Sequence, residues 1–510
     1  MEFQRVTPES VGVPSGAVTA LLDELYRCGT EMHSFMLLRH GKVYAEGSWK
    51  PYRPQVQHIM FSFSKSLTST AIGFARQEGI LSLKEKLVDI FPDKLPENPS
   101  ENLKKAEIRH LLMMGCGHET EIPNLGLGDP DWIKSFLTHP FVYEPGTHFL
   151  YNTAGTNLLS AILTRKTGQT LTEFLRPRLM EPLGLTDIPC QPLPDGTEMG
   201  GAGCSMTIED MARFVQFVAN RGKWEGRQLL EESWFEEATR KQIENRGAGW
   251  DGDPDWQQGY GYQFWRCEPE GVFRGDGAFG QYGVVCTGQD AVVVIQSASM
   301  QLQAVLTAVW EKLLPAMAEG PLPEDPQALH SLKNRLKRLE LNPVLGMRNP
   351  WAEKSLNSAV YLPEKPLPGM EDLIGGAGSF QPVGGRLVSL SFRFRGEDAA
   401  LLCRQDNGSF EIQLGLNGHF VTSDIHGVPY GANGRWKPGG ALEIELRDTR
   451  RATGKRFTFR FGESSMVLSA ESTFPMEGGL NDEPTPEMTF TLADGEVTTK
   501  TKMYWETEER

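Results

Sequence analysis

Apolar and polar positions along this chain follow two periods, and the places where one gives way to the other divide it. Residues 34–49 read as two short strands about the turn His40-Gly41. Past Phe61 the period lengthens. Leu67, Ala71, Ile72, Phe74 and Ala75 are the apolar positions of a helix, and Gly79 is a residue of C-cap type at its end. Helical spacing continues over 103–114, 131–137, 157–167, 171–180 and 208–220. Thr207, with Asp210 three residues on, is a capping-box-like start for the last of these. Strand character returns at 271–276, 281–286 and 291–297, with a turn over 287–290, and a helix over 301–314 follows. Strands at both ends with helices between them predict one antiparallel sheet built from both ends of the domain, flanked by helices, and a helical lobe. This is an α/β (α+β) architecture whose cleft lies between sheet and lobe.

Pro315, Pro321, Pro323 and Pro326 interrupt the pattern, and a charged helix over 327–339 follows. Residues 316–345 therefore read as a connector after a first domain of 1–315. Beyond it alternation by twos takes over. Phe457, Phe459 and Phe461 alternate with Thr458 and Arg460, Ile444 and Leu446 with Glu443, Glu445 and Arg447, and Met488, Phe490 and Leu492 with Thr489 and Thr491. Residues 346–510 thus predict a C-terminal all-β domain, an antiparallel sandwich or barrel, with no catalytic constellation of its own.

At 510 residues the chain is too long for one core, in keeping with this division. Its net charge of −15, with no Lys/Arg-rich cluster, argues against a nucleic-acid partner. The first ten residues lack the apolar core of a leader peptide, and no uninterrupted apolar run is long enough to span a bilayer, so no membrane partner is expected. The seven cysteines are scattered, without a Cys-x-x-Cys pair, which suits reduced thiols and a cytoplasmic location. None of the ten histidines forms a His-Glu-x-x-His pattern, and neither a metal nor another cofactor is expected.

Ser62 and Lys65 add chemistry to the pattern. They stand three residues apart at the start of the first predicted helix, in the only Ser-x-x-Lys of the chain. On a helix that spacing puts both side chains on one face. Free N–H groups and the helix dipole favour negative charge on the serine oxygen there. A lysine amine one turn away can take the hydroxyl proton if burial lowers its pKa.

With that motif between a hairpin and a helical lobe, residues 1–315 resemble the serine β-lactamase and penicillin-binding superfamily. The nearest branch is that of class C β-lactamases and related esterases, D-aminopeptidases and 6-aminohexanoate-dimer hydrolases. The likeness is carried by Leu38-Arg-His-Gly-Lys-Val, Phe61-Ser-Phe-Ser-Lys-Ser-Leu-Thr-Ser, His110-Leu-Leu-Met-Met-Gly and Pro145-Gly-Thr-His-Phe-Leu-Tyr-Asn-Thr-Ala-Gly. It continues in Glu181-Pro-Leu-Gly-Leu, Ser205-Met-Thr-Ile-Glu-Asp-Met-Ala-Arg-Phe and Gly277-Ala-Phe-Gly-Gln-Tyr. It says nothing about 346–510.

The resemblance implies site residues. The family's Tyr-x-Asn motif falls on Tyr151-Asn152-Thr153, with threonine in place of the second asparagine, so Asn152 and Thr153 are both candidates for substrate contact. Either Lys65 or Tyr151 is the base. The third motif falls on Gly275-Asp276-Gly277, not on the literal Lys166-Thr-Gly168, which reads as a helix end with a glycine cap. Asp276 and Gly277 would line the substrate, and the Ala278 N–H would join that of Ser62 as an oxyanion hole. Trp250, at the head of an aromatic-rich stretch, is placed in the cleft wall. His118, alone in its loop, is given no catalytic role. These residues imply a serine hydrolase forming an acyl-enzyme on Ser62 with a small ester or amide substrate, neutral or amine-bearing, not primarily a β-lactamase. An acyltransferase using the same intermediate, or a non-catalytic binding protein on this fold, are the alternatives.

Overall fold

Among the described residues, six antiparallel strands form the sheet that carries the N-terminal half. They are β1 (Glu31–Arg39), β2 (Lys42–Ser48), β3 (Trp265–Arg266), β4 (Val272–Gly277), β5 (Gln281–Cys286) and β6 (Ala291–Ala298), in the order β2-β1-β6-β5-β4-β3. The hairpin from the start of the chain pairs with the last strand, Phe35 opposite Ile295 and Leu37 opposite Val293. Every residue of β6 is buried, so its unbroken Ala-Val-Val-Val-Ile run suits a central strand covered on both faces. The computed structural model describes residues 2–123, 127–249, 252–342, 346–357, 359–374, 385–396, 398–416, 418–473 and 485–493.

The helices that matter to the site are α1 (Ser15–Arg27), α2 (Ser64–Gln77), α3 (Thr153–Thr167), α4 (Ile208–Ala219), α5 (Leu302–Ala308) and α6 (Pro326–Leu336). α4 starts where expected: the Thr207 hydroxyl accepts from Asp210 N at 3.1 Å, and the helix packs on β1, β5 and β6. The stretch 103–114 is not one helix. It breaks at extended Ala106 into Glu101–Lys105 and Ile108–Leu112, because Glu107 and His110 form a capping box that starts a second helix packing on α3. A two-residue strand, His58–Ile59, pairs with Ser205–Met206 and was not visible as a pattern.

The chain divides into two compact units, 1–48 with 57–338 and 49–56 with 339–510. Residues 316–338, expected in a connector, belong to the first: α6 packs on α1, with Arg335 2.8 Å from Asp23.

The second unit is a β-barrel. Its described strands are β7 (Val360–Pro363), β8 (Leu387–Arg395), β9 (Asp398–Gln405), β10 (Gly408–Gly415), β11 (Val421–Ile425), β12 (Val428–Trp436), β13 (Leu442–Asp448), β14 (Lys455–Phe461), β15 (Ser465–Ser472) and β16 (Thr485–Leu492). They run β10-β9-β8-β7-β16-β15-β14-β13-β12-β11, and β10 pairs back onto β12 at Gly415–Asn433, which closes the sheet. Phe457, Phe459, Ile444, Leu446 and Phe490 point into one apolar core, the faces their alternation predicts.

Candidate active site

Ser62 lies in a single 3-10 turn, Phe61–Phe63, that runs directly into α2. Phe61 enters the turn at φ 46°, in the left-handed region. Two strands hold the turn in place. On one side Met60 N donates to the Cys204 carbonyl at 2.9 Å, continuing the His58–Ile59 pairing. On the other β4 lies so close that a Cβ on Gly277 would sit 2.2 Å from the Met60 carbonyl, and one on Gly275 2.8 Å from the Phe63 ring. The Gly-Asp-Gly triplet therefore lets the sheet edge reach the serine turn. That is a backbone packing reason for Gly277, which was expected to line the substrate.

Lys65 is buried at 1% exposure and its ammonium reaches three oxygens: Ser62 Oγ at 2.9 Å, Thr153 Oγ1 at 3.2 Å and the Gly201 carbonyl at 2.7 Å. Burial drives this amine down from 10.5 to about 7, against the opposing pull of Glu121 and Asp276. Tyr151 faces the same serine. Its ring lies 4.8 Å from Lys65 Nζ and stacks on Trp265 at 5.4 Å. Burial keeps the phenol protonated, pushed well above its ordinary 10.0, although a hydrogen bond with Ser62 works the other way. The structure thus brings Ser62, Lys65, Tyr151 and Thr153 together.

Asn152 is elsewhere. Its Oδ1 accepts from Gly155 N at 2.8 Å as the N-cap of α3, and its amide lies 3.2 Å from buried His118 Nδ1. The expected substrate contact is corrected to a helix cap, because an N-cap side chain must turn back onto its own first turn. His118 is fully buried against Phe136 and Phe141, and burial lowers its ring to about 3, a packing role. Lys166-Thr-Gly168 is the end of α3, with Gly168 at φ 72° and Lys166 paired to Glu85.

Asp276 borders the site but is not a free anion. Arg274, on the same face of β4, binds it through Nε at 2.9 Å and Nη2 at 2.8 Å. The guanidinium itself is clamped by Trp256 at 4.3 Å and Trp265 at 5.6 Å, and donates to the Asp255 carbonyl at 2.8 Å. Burial raises the Asp276 carboxyl while Arg274 pulls it back. Ala278 is exposed at the turn after β4, and neither its N–H nor that of Ser62 is committed to a turn or loop hydrogen bond among the described residues. Trp250 lies outside the described residues.

Two contributors were missed in the sequence. Gly201 supplies a carbonyl from an irregular loop. Glu121 places Oε1 on the N–H of Thr153 and, at 3.3 Å, on that of Ala154, and burial raises its carboxyl. Only its place just after Gly115-Cys-Gly-His-Glu, beside a stretch already singled out, hinted at it.

A serine with a neutralisable buried amine, set between an antiparallel sheet and a helical lobe, is the architecture of the serine β-lactamases and penicillin-binding proteins. The sequence model of the Beta-lactamase family matches residues 22–314, more than half of the chain, and the chain belongs to that family of serine hydrolases. The D-aminopeptidase of Brucella anthropi is 26% identical over 248 residues, 42% of this chain and 44% of that protein. The 6-aminohexanoate-dimer hydrolase of Paenarthrobacter ureafaciens is 27% identical over 221 residues, 40% of this chain and 56% of that protein. The matches thus span about half the length of these relatives. A penicillin-binding protein homologue from Caulobacter crescentus superposes with a TM-score of 0.48 at 17% identity, over 59% of this chain and 99% of that one. No helix among the described residues is long and apolar enough to cross a membrane.

Proposed function

We propose that this chain hydrolyses a small ester or amide through an acyl-enzyme on Ser62. The observation that carries this reading is the buried Lys65 amine, about 7 in pKa and 2.9 Å from Ser62 Oγ. Ser62 Oγ attacks the carbonyl carbon and its proton passes to neutral Lys65. The oxyanion is held by the N–H groups of Ser62 and Ala278. The bond to the leaving group breaks as Tyr151, neutral at rest, gives its proton to that group and regains one from the Lys65 ammonium. Water then attacks the acyl ester, loses a proton to the amine, and Ser62 leaves with a proton returned to its oxygen. The neutral phenol favours Lys65 for the first proton transfer. No cofactor enters.

The substrate is neutral or carries an amine. Lys65 spends its charge on neutral oxygens, Arg274 is consumed by Asp276 and the aromatic clamp, and Glu121 leaves negative charge nearby. A substrate carboxylate finds no uncommitted cation among these groups. Penicillins, cephalosporins and D-Ala-D-Ala peptides should be poor substrates.

The test is a fluorophosphonate probe with a chromogenic ester. Labelling should map to Ser62, intact mass should show an acyl adduct, and Ser62→Ala should lose both labelling and turnover. Labelling on another serine, or turnover surviving in Ser62→Ala, overturns the proposal. Adding an amine or alcohol acceptor shows whether water or acceptor takes the acyl group.

A further inference from the structure

We infer that Glu121, acting through the Thr153 hydroxyl, is a positioning residue that aims the Lys65 lone pair at Ser62. The inference rests on the reading of Lys65 as the base.

A neutral lysine amine has two N–H donors and one lone pair. Lys65 Nζ has three oxygens around it: Thr153 Oγ1 at 3.2 Å, the Gly201 carbonyl at 2.7 Å and Ser62 Oγ at 2.9 Å. The carbonyl can only accept. If Thr153 also accepts, both N–H groups are used and the lone pair is left for the Ser62 proton. If Thr153 donates instead, its proton occupies the lone pair and Ser62 faces an N–H, so the base is switched off.

A threonine hydroxyl has one proton, so its direction depends on where that proton can go. Glu121 Oε1 accepts from the Thr153 N–H, which sets the carboxylate beside the hydroxyl of the same residue, and that hydroxyl favours the ionised form. The carboxylate, an acceptor only, draws the Thr153 proton away from Lys65. The same carboxylate is fixed by two backbone donors, Thr153 N and Ala154 N at 3.3 Å, where the dipole of α3 favours negative charge. Thr153 is 7% exposed, which limits competition from solvent for its hydroxyl. The charged groups acting on Lys65 are Glu121 and Asp276, with the Tyr151 ring against it. Those that feel Glu121 are Lys65, Cys116 and Tyr151.

The charge and acceptor roles of Glu121 separate in one set of variants. Glu121→Gln keeps an acceptor oxygen but no charge. It should retain most of kcat while the acidic limb of kcat/KM moves down by about 1 pH unit, since Lys65 loses a counter-charge. Glu121→Ala should show the same limb shift and a further loss of roughly 10- to 100-fold in kcat with little change in KM. Thr153→Val should match the kcat loss and Thr153→Ser should recover it. The Glu121→Ala, Thr153→Val double variant should be no worse than the worse single variant.

Loss of thermal stability in Glu121→Ala with kcat unchanged would reduce Glu121 to a helix cap and overturn the inference. An unmoved limb in folded Glu121→Gln would do the same, even if the Ala and Val variants fail to fold. Turnover surviving in Ser62→Ala or Lys65→Met would instead overturn the reading on which this one rests.

Discussion

Buried charge on β13 of the barrel and at Lys65 of the first unit is treated in opposite ways. In the barrel, each buried anion of β13 meets cations. Glu443 holds Arg435 at 2.6 Å and Lys437 at 3.0 Å, Glu445 holds Arg447 at 2.7 Å, and Asp448 holds Arg450 at 2.7 Å and Arg451 at 3.0 Å. Glu443 and Asp448 are accordingly held below the usual carboxylate range, arginine and lysine hydrogen bonds outweighing burial. In the first unit Lys65 is buried among neutral oxygens, and burial wins. A paired charge keeps its ordinary ionisation and contributes to a fixed structure. A buried charge held by neutral groups sits near the point where it gains or loses a proton at neutral pH.

The sharpest way to break this contrast is Lys65→Met. Turnover should fall by roughly 10³-fold or more. The same change should stabilise the fold in a pH-dependent way. Folded Lys65 titrates near 7 and unfolded lysine near 10.5. The unfolded chain therefore binds the extra proton between those values, and wild-type stability is drawn down as pH falls through that window. The advantage of the methionine variant should grow from pH 10.5 towards pH 7, reach about 1–4 kcal/mol, and level off below. Denaturant unfolding at pH 6, 8 and 10 measures it, and a pH-independent difference would show that Lys65 is not strained. In wild type the acidic limb of kcat/KM should lie near pH 7.

On the barrel side the expected response is the reverse. Glu443→Gln should destabilise by about 3 kcal/mol, because Arg435 and Lys437 lose the carboxylate between them, while kcat/KM stays at the wild-type value. A drop in activity without a change in the melting transition would show that the barrel's ion pairs are not purely structural.

Gly277→Ala asks whether the site depends on backbone approach as much as on charge. The added methyl meets the Met60 carbonyl, so a loss of about 2–3 kcal/mol with a fall in Ser62 labelling is expected. Wild-type labelling would show that the serine turn can withdraw from β4. The smallest effect is Thr207→Ala, about 1 kcal/mol from the lost cap of α4, read as a lower melting temperature with unchanged labelling.

Much of the fold was legible because it rests on local periodicity. The hairpin at 34–49, the strands at 281–286 and 291–297, α4 with its Thr207 cap and the alternating barrel strands each follow from side chains two or three to four residues apart. The failures share a cause. The helix at 103–114 breaks where Glu107 and His110 cap a second start, and α6 joins the first unit through contact with a helix some three hundred residues earlier in the chain. Neither leaves a periodic trace.

The site divides along the same line. Ser62 and Lys65 are three residues apart, so one turn of helix sets their relation and the sequence alone determined it. Tyr151 and the glycines of β4 were found only by their likeness to a known family. Tertiary structure decided the rest. It clamped Arg274 between Trp256 and Trp265, set Glu121 on the N–H of Thr153, and brought the Gly201 carbonyl to the lysine. These contacts join residues distant in the chain through irregular loops and a sheet edge, where neighbours in space have no fixed spacing in sequence. Spacing of two to four residues can specify a motif; what charge the motif carries depends on what packs around it.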